Sequence, residues 1–188
     1  DLEAVVAYMR DSEEWGISRL IVVSFSAAAL EVRKAVARDR GRSIDGWVSV
    51  VGSPDLQSMS RSISGGVDFI AGHELGLKFG LQELLGVTLD VDQVVKDAKS
   101  HGMAFVEDAG RDFAATDIPI TWYHGRHDAW VDLARVQSVL SHGDTSRRRL
   151  VVVPTGHQLR SSKQAGQVFQ CIAREVGRMA LGREISPL

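Results

Sequence analysis

Three side chains stand in a suitable chain order for nucleophilic acyl transfer: Ser26, Asp128 and His157. A serine hydroxyl is a weak nucleophile until a neighbouring base takes its proton. Histidine serves as that base when an acid orients its ring and stabilises its charged form. Ser26 lies in Ile21-Val22-Val23-Ser24-Phe25-Ser26-Ala27-Ala28, a β-branched run leading into a helix-forming stretch. A nucleophile on so tight a strand-to-helix turn needs small residues two before and two after it, where strand and helix nearly touch. Glycine is usual there; Ser24 and Ala28 are also small enough. Taken locally, Ser26 reads equally as a nucleophile or as a plain helix N-cap.

Asp128 stands in His124-Gly125-Arg126-His127-Asp128-Ala129-Trp130-Val131, a strand end, a glycine turn and an acid before an apolar helix start. Its simpler role is to cap that helix. His157 follows Val153-Pro154-Thr155-Gly156, past an apolar strand and before the last helix, which suits a general base projecting into a site. A lone histidine is more often structural, but this one arrives in the right place and order. His124, His127 and Asp128 also suggest a metal set. Zinc requires three or four ligands, and no further His/Cys cluster is visible, so neither metal nor organic cofactor is expected. His73 reads as a loop residue, and His101 and His142 as solvated turn residues.

The surrounding elements must present these groups together. Leu2, Val5, Val6 and Met9 form an amphipathic helical stripe that ends near Trp15-Gly16. Leu20–Val23 is an unbroken apolar run of the kind buried on both faces of a parallel sheet. A helix over Ala27–Arg38 and a second buried strand over Gly46–Gly52 follow. Strands are expected again at Ile118–Tyr123 and Leu150–Val153, with helices from about Val131 to Leu140 and from about Gln164 to Leu181. Strands alternating with helices imply a parallel α/β sheet whose reactive groups gather at the carboxyl ends of the strands. Ser26, Asp128 and His157 each follow a strand, in the Ser–acid–His order of the α/β-hydrolase arrangement.

The stretch 54–116 breaks this alternation. It is rich in Ser and Gly at first. A helix N-capped by Asp90 and another over about Met103–Ala115 follow, with no strong strand. It is expected to be a helical cap insertion over a core formed by 1–53 and 117–188. Phe69, Leu77, Phe79, Leu84 and Phe105 are its candidate substrate-binding residues, with Leu81 and Leu85 as further apolar side chains.

Composition is that of an ordinary globular chain: 188 residues, 44% hydrophobic and 24% charged. A net charge of -2 offers no electrostatic case for nucleic acid or an anionic membrane. The one dense basic run, Arg147-Arg148-Arg149, reads as a solvated loop. The single cysteine, Cys171, excludes an intrachain disulfide and reads as an inert helix residue. No apolar run approaches the roughly 18 residues of a membrane span. The chain is read as cytoplasmic, although it begins without Met and its targeting is therefore undetermined.

Ser24-Phe25-Ser26-Ala27, Gly72-His73-Glu74-Leu75-Gly76, Asp128-Ala129-Trp130-Val131 and His157-Gln158-Leu159 together resemble the acyl transferases of bacterial bioluminescence. These are myristoyl-ACP thioesterases of the α/β-hydrolase superfamily. That family shows Ser-x-Ser at the nucleophile, Gly-His-x-Leu-Gly in its cap and Asp-x-Trp-Val at its acid. The resemblance spans roughly Ile21 to Leu159. It implies Ser26 as nucleophile, Asp128 as acid and His157 as base, with the Ala27 backbone N–H in the oxyanion hole. It also implies an acyl-thioester substrate on a carrier protein or coenzyme A, cleaved or transferred through an acyl-enzyme. A carboxylic ester hydrolase is the alternative within the same chemistry. A hydrolase-fold binding protein without activity is the alternative outside it. Hydrolases of this kind carry several strands before the nucleophile, which here comes early in the chain. An additional N-terminal segment or a partner chain is therefore expected beside Leu20–Val23.

Overall fold

A computed structural model describes residues 2–159 and 163–182. In chain order, α1 (Leu2–Asp11) leads through a short 3-10 turn to β1 (Ile21–Phe25), α2 (Ala28–Asp39) and β2 (Gly46–Val50). Residues 54–116 carry α3 (Leu56–Ile63), α4 (Phe69–Glu74), β3 (Leu81–Leu84), β4 (Val87–Asp90), α5 (Val91–Ser100) and α6 (Val106–Ala114). Then come β5 (Ile120–Gly125), α7 (Leu133–Leu140), β6 (Arg148–Val153) and α8 (Ala165–Ala180). Among the described residues the central sheet has four parallel strands in the order β1-β2-β5-β6.

β2 and β5 are buried along their whole length, as their apolar runs require. On one face Trp47 and Trp122 meet edge to face at 5.6 Å, and Phe113 of α6 lies 5.8 Å from Trp47. The buried stripes of α2 (Val32, Val36) and α7 (Val136, Val139) complete this cluster. The other face, with Val48, Val50 and Tyr123, is covered by Val168, Ile172 and Met179 of α8, spaced to form one helical stripe. Glu175 lies on that buried stripe. It accepts a hydrogen bond from Thr121 and pairs with Arg178 and Arg149, which hold its carboxyl below the usual range against the opposing effect of burial.

Among the described residues β1 is an edge strand that pairs with β2, and Val23 and Phe25 are 38% and 45% exposed on the strand beside which a further segment is expected. Several local expectations are corrected. The stretch 54–116 contains a strand pair, the β3–β4 hairpin. Its two-residue turn has Leu85 at φ 53° and Gly86 at φ 79°, the double left-handed turn that suits strand twist. Only Gly86 hinted at it, because Leu85 is a poor residue for that conformation. His73 lies on α4 rather than in a loop. The arginine run is not a solvated loop. Arg148 sits over the Phe113 ring and donates to the carbonyls of Phe113 and Thr116, while Arg149 pairs with Glu175. Cys171 is exposed on α8.

Within 54–116 the packing divides. Ala109 and Phe113 of α6 belong to the main core. Phe69, Ile70, Val91, Val95, Ala98 and Ala104 form a separate cluster. No helix among the described residues is long and apolar enough to cross a membrane.

The carboxyl end of the sheet is close-packed. A Cβ on Gly52, just past β2, would fall 2.2 Å from Ser49 Oγ and 2.8 Å from Ala29 Cβ, which is why glycine stands there. His124, near the end of β5, is 2% exposed, and its Nδ1 has no hydrogen-bond partner among the described residues. Burial pushes its pKa below the ordinary 6.5, against the opposing pull of Asp128 and Asp132.

That shift has a definite sign. Below 6.5 the unfolded chain binds a proton at His124 that the folded chain resists. Stability is therefore intact above that value and falls as pH drops through it. Between about pH 7.5 and about pH 5.5 the thermal midpoint of the wild type should fall further than that of His124→Gln. Equal falls in both proteins would remove His124 as the cause.

Candidate active site

Ser26 joins β1 to α2 with φ 53°, a left-handed conformation that a serine adopts only when its surroundings impose it. The surroundings are the neighbouring strand. Ser26 N–H donates to the Val50 carbonyl at 3.1 Å, and Ser53 N–H donates to the Ser26 carbonyl at 3.3 Å. Val51, between those two anchors, is itself left-handed at φ 45°, which is costly for a β-branched residue. The two residues expected to be small behave differently. Ser24 is buried, and its Oγ accepts a hydrogen bond from the Trp47 indole N–H at 2.9 Å, giving that buried donor a partner a glycine would lack. Ala28 is exposed.

Ser26 does not cap α2. The N-cap residue is Ala27, with no side-chain cap. Ser26 Oγ instead lies 2.7 Å from His157 Nε2. On its other side, His157 Nδ1 is 2.9 Å and 3.1 Å from the two carboxylate oxygens of Asp128. An ionised carboxylate only accepts, so Nδ1 carries the hydrogen and Nε2 is free to accept from the serine. Nor does Asp128 cap α7, whose N-cap is Asp132. Asp128 Oδ1 takes the N–H groups of Trp130 and Val131 at 2.8 Å and 3.1 Å, which fixes its rotamer. The Asp128 side chain is 0% exposed and that of His157 is 7% exposed, so their contact is shielded from water.

The loops that carry Asp128 and His157 are stitched together. Arg126 N–H donates to the Val153 carbonyl at 2.7 Å, and His127 N–H donates to the Thr155 carbonyl at 2.9 Å. Gly125 makes this possible: a Cβ there would lie 2.7 Å from the Thr155 oxygen and 2.9 Å from the Gly156 oxygen. Gly156, beside His157, has ordinary room for a side chain. A glycine at the end of an apolar strand is the sequence signal for the role of Gly125.

The Ala27 N–H makes no hydrogen bond among the described residues, while its carbonyl accepts from Leu30. It is therefore free to donate to a negatively charged oxygen beside Ser26. Among the described residues, no group of three or more His, Cys, Asp or Glu side chains gathers in a metal-holding arrangement. Of the candidate substrate-binding residues, Phe69, Phe79, Leu84 and Phe105 pack in or against the separate cluster within 54–116, and Leu77 is 54% exposed. His101 and His142 are exposed, and each ring donates to a carbonyl one helical turn earlier.

No protein-family model and no curated protein matches the sequence. Solved structures do match. Est1E from Butyrivibrio proteoclasticus superposes with a TM-score of 0.68 at 17% identity over 95% of this chain and 67% of its own. The metagenome-derived lipolytic enzymes LipS and LipT give a TM-score of 0.66 at 10% identity, covering 95% of this chain and 71% of that one. The mouse α/β hydrolase domain-containing protein 10 gives 0.63 at 13% identity, covering 94% and 68%. The chain spans 49% of another match, AbyA5. With its parallel sheet, flanking helices and tight turn after β1, the chain has the α/β-hydrolase fold.

Proposed function

We propose that this chain carries the active centre of a serine hydrolase that cleaves acyl bonds through an acyl-enzyme on Ser26. The observation that carries the reading is the line Ser26 Oγ, His157, Asp128, with contacts of 2.7 Å and 2.9 Å and the serine on a strained turn. Such alignment is wasted on a helix cap, and backbone strain persists where the surrounding structure enforces it.

In this reading His157 Nε2 takes the Ser26 proton as Oγ bonds to the acyl carbon. The Ala27 N–H donates to the oxygen that becomes negative. The proton then passes from His157 to the leaving group as the tetrahedral intermediate collapses. Water, deprotonated by the same histidine, frees the acid and restores Ser26. Asp128 keeps the imidazole in the required tautomer and stabilises its charged form. No step calls for a cofactor.

Carboxylic esters are the substrate class we favour, supported by the lipolytic activity in the name of LipS and LipT. Acyl thioesters, with a carrier protein or coenzyme A as the thiol, are the second reading. It rests on Ser24-Phe25-Ser26 and Gly72-His73-Glu74-Leu75-Gly76, the motifs shared with the bioluminescence acyl transferases. The segment 54–116 is proposed as the cap that receives the acyl chain. Its own apolar cluster of Phe69, Ile70, Val91 and Val95, with Leu56, Phe79, Leu84, Met103 and Phe105 packed against it, supports that role.

A fluorophosphonate should label the wild type and not Ser26→Ala, whose kcat should fall roughly 10⁴- to 10⁶-fold. Asp128→Asn should lose about 10⁴-fold with its fold intact. An unlabelled wild type inert toward p-nitrophenyl esters and acyl-CoA would leave a binding protein instead. The ratio of the two substrate activities decides between ester and thioester.

Gly125→Ala should cost roughly a hundredfold in kcat, because a small misplacement of His157 breaks the alignment. A variant with unchanged kcat would show that the loops tolerate the extra methyl. Leu56→Trp and Met103→Trp should shift preference toward shorter acyl chains in a p-nitrophenyl ester series. An unchanged chain-length profile would remove the segment 54–116 from substrate recognition.

A further inference from the structure

Trp130 lies two residues beyond Asp128 and touches both members of the Asp128–His157 pair. Its backbone N–H donates to Asp128 Oδ1 at 2.8 Å. Its indole lies against the His157 imidazole, with ring centroids 4.4 Å apart and planes inclined by 36°. Any residue other than proline would supply the N–H; the ring contact belongs to tryptophan. The indole is half-buried and packed against the main core cluster, so it forms a fixed wall. The imidazole is thereby held by a carboxylate at its Nδ1 edge and by an aromatic surface on its face.

We propose that Trp130 is a positioning residue for His157, its indole holding the ring in line with Ser26 and stabilising the imidazolium formed during acyl transfer. The inference rests on the assignment of His157 as the base. As the Ser26 proton moves to Nε2 and the Oγ–carbon bond forms, the imidazole becomes a cation against an indole, the aromatic side chain that attracts cations best. The neutral imidazole of the resting state gains much less from the contact. An interaction stronger in the transition state than in the ground state raises kcat and leaves substrate binding nearly unchanged. The proton returns from His157 to the leaving group, so the contact is used transiently in each half-reaction.

Two variants separate the ring from the backbone contact. Both Trp130→Leu and Trp130→Phe retain the N–H donor to Asp128, but only phenylalanine retains an aromatic face. Rates on a short p-nitrophenyl ester are expressed per active site, counted by fluorophosphonate titration, so that loss of folded protein does not register as loss of kcat. Trp130→Leu should lower kcat roughly tenfold with KM within about twofold, and Trp130→Phe should recover to within about threefold of wild type. A residue with only a packing role would lower the thermal midpoint and the count of titratable sites while leaving kcat per site unchanged. If Trp130→Leu does not fold, Trp130→Met takes its place as the unbranched apolar variant. Wild-type kcat per site in the leucine or methionine variant overturns the proposal, as does a phenylalanine variant as slow as either. A wild type that neither labels nor turns over any ester overturns the assignment of His157, and this proposal with it. Normal wild-type turnover with an indifferent Trp130 overturns the proposal alone.

Discussion

The peptide of Ser26 is pinned to the end of β2 by two backbone hydrogen bonds, to the Val50 carbonyl and from the Ser53 N–H, and the geometry of the site follows from that attachment. A left-handed serine is unfavourable by about 1–3 kcal/mol and relaxes unless its neighbours prevent it. Here the prevention is layered. Val51 takes its own left-handed turn between the two anchors, and Gly52 lets Ser49, Ala29 and Trp122 close in beneath. The Trp47 indole ties Ser24 to the same face. The strained turn is thus fixed to the most buried part of the sheet, where it has no easy route of relaxation.

The same logic serves the other half of the site. Asp128 and His157 come from loops after β5 and β6, adjacent strands paired in register from Ile120↔Arg148 to Gly125↔Val153. Pairing continues past the strands through Arg126 and His127, so the two loops move as one body. A parallel sheet places every strand's carboxyl end on the same side. Three residues far apart in sequence therefore meet within hydrogen-bond distance, and the strand order brings the serine loop alongside the acid and base loops.

Charged groups in the interior link the layers. Asp55, 0% exposed by its side chain, caps α3 and pairs with Arg135 of α7 at 3.0 Å. Arg33 of α2, 2% exposed, donates to the Gly102 carbonyl and lies 3.3 Å from Asp112 of α6. Burial pulls its pKa down, and the nearby Asp112, Asp108 and Asp55 oppose that pull. Removing one partner from such a pair leaves an uncompensated buried charge, so these contacts specify how the segment after β2 docks on the core more than they add net stability.

The alternation of apolar runs and helical stripes determined the four parallel strands and α1, α2, α5, α6, α7 and α8, because burial on a sheet face or along a helix stripe is written in residue type and spacing. The types and order of Ser26, Asp128 and His157 were legible for the same reason: only a few side chains do this chemistry. What the sequence left open was partnership. Whether Ser26 capped a helix or faced a histidine depended on a backbone turn imposed by β2, a different strand. The roles of Gly125 and Trp130 depended on atoms about thirty residues away, and no local pattern encodes that proximity. The β3–β4 hairpin escaped notice because each strand has four residues and little alternation, and its turn uses a leucine where a glycine or asparagine would have signalled it. Residue type sets which groups prefer burial and which can react; only tertiary contact decides which of them meet.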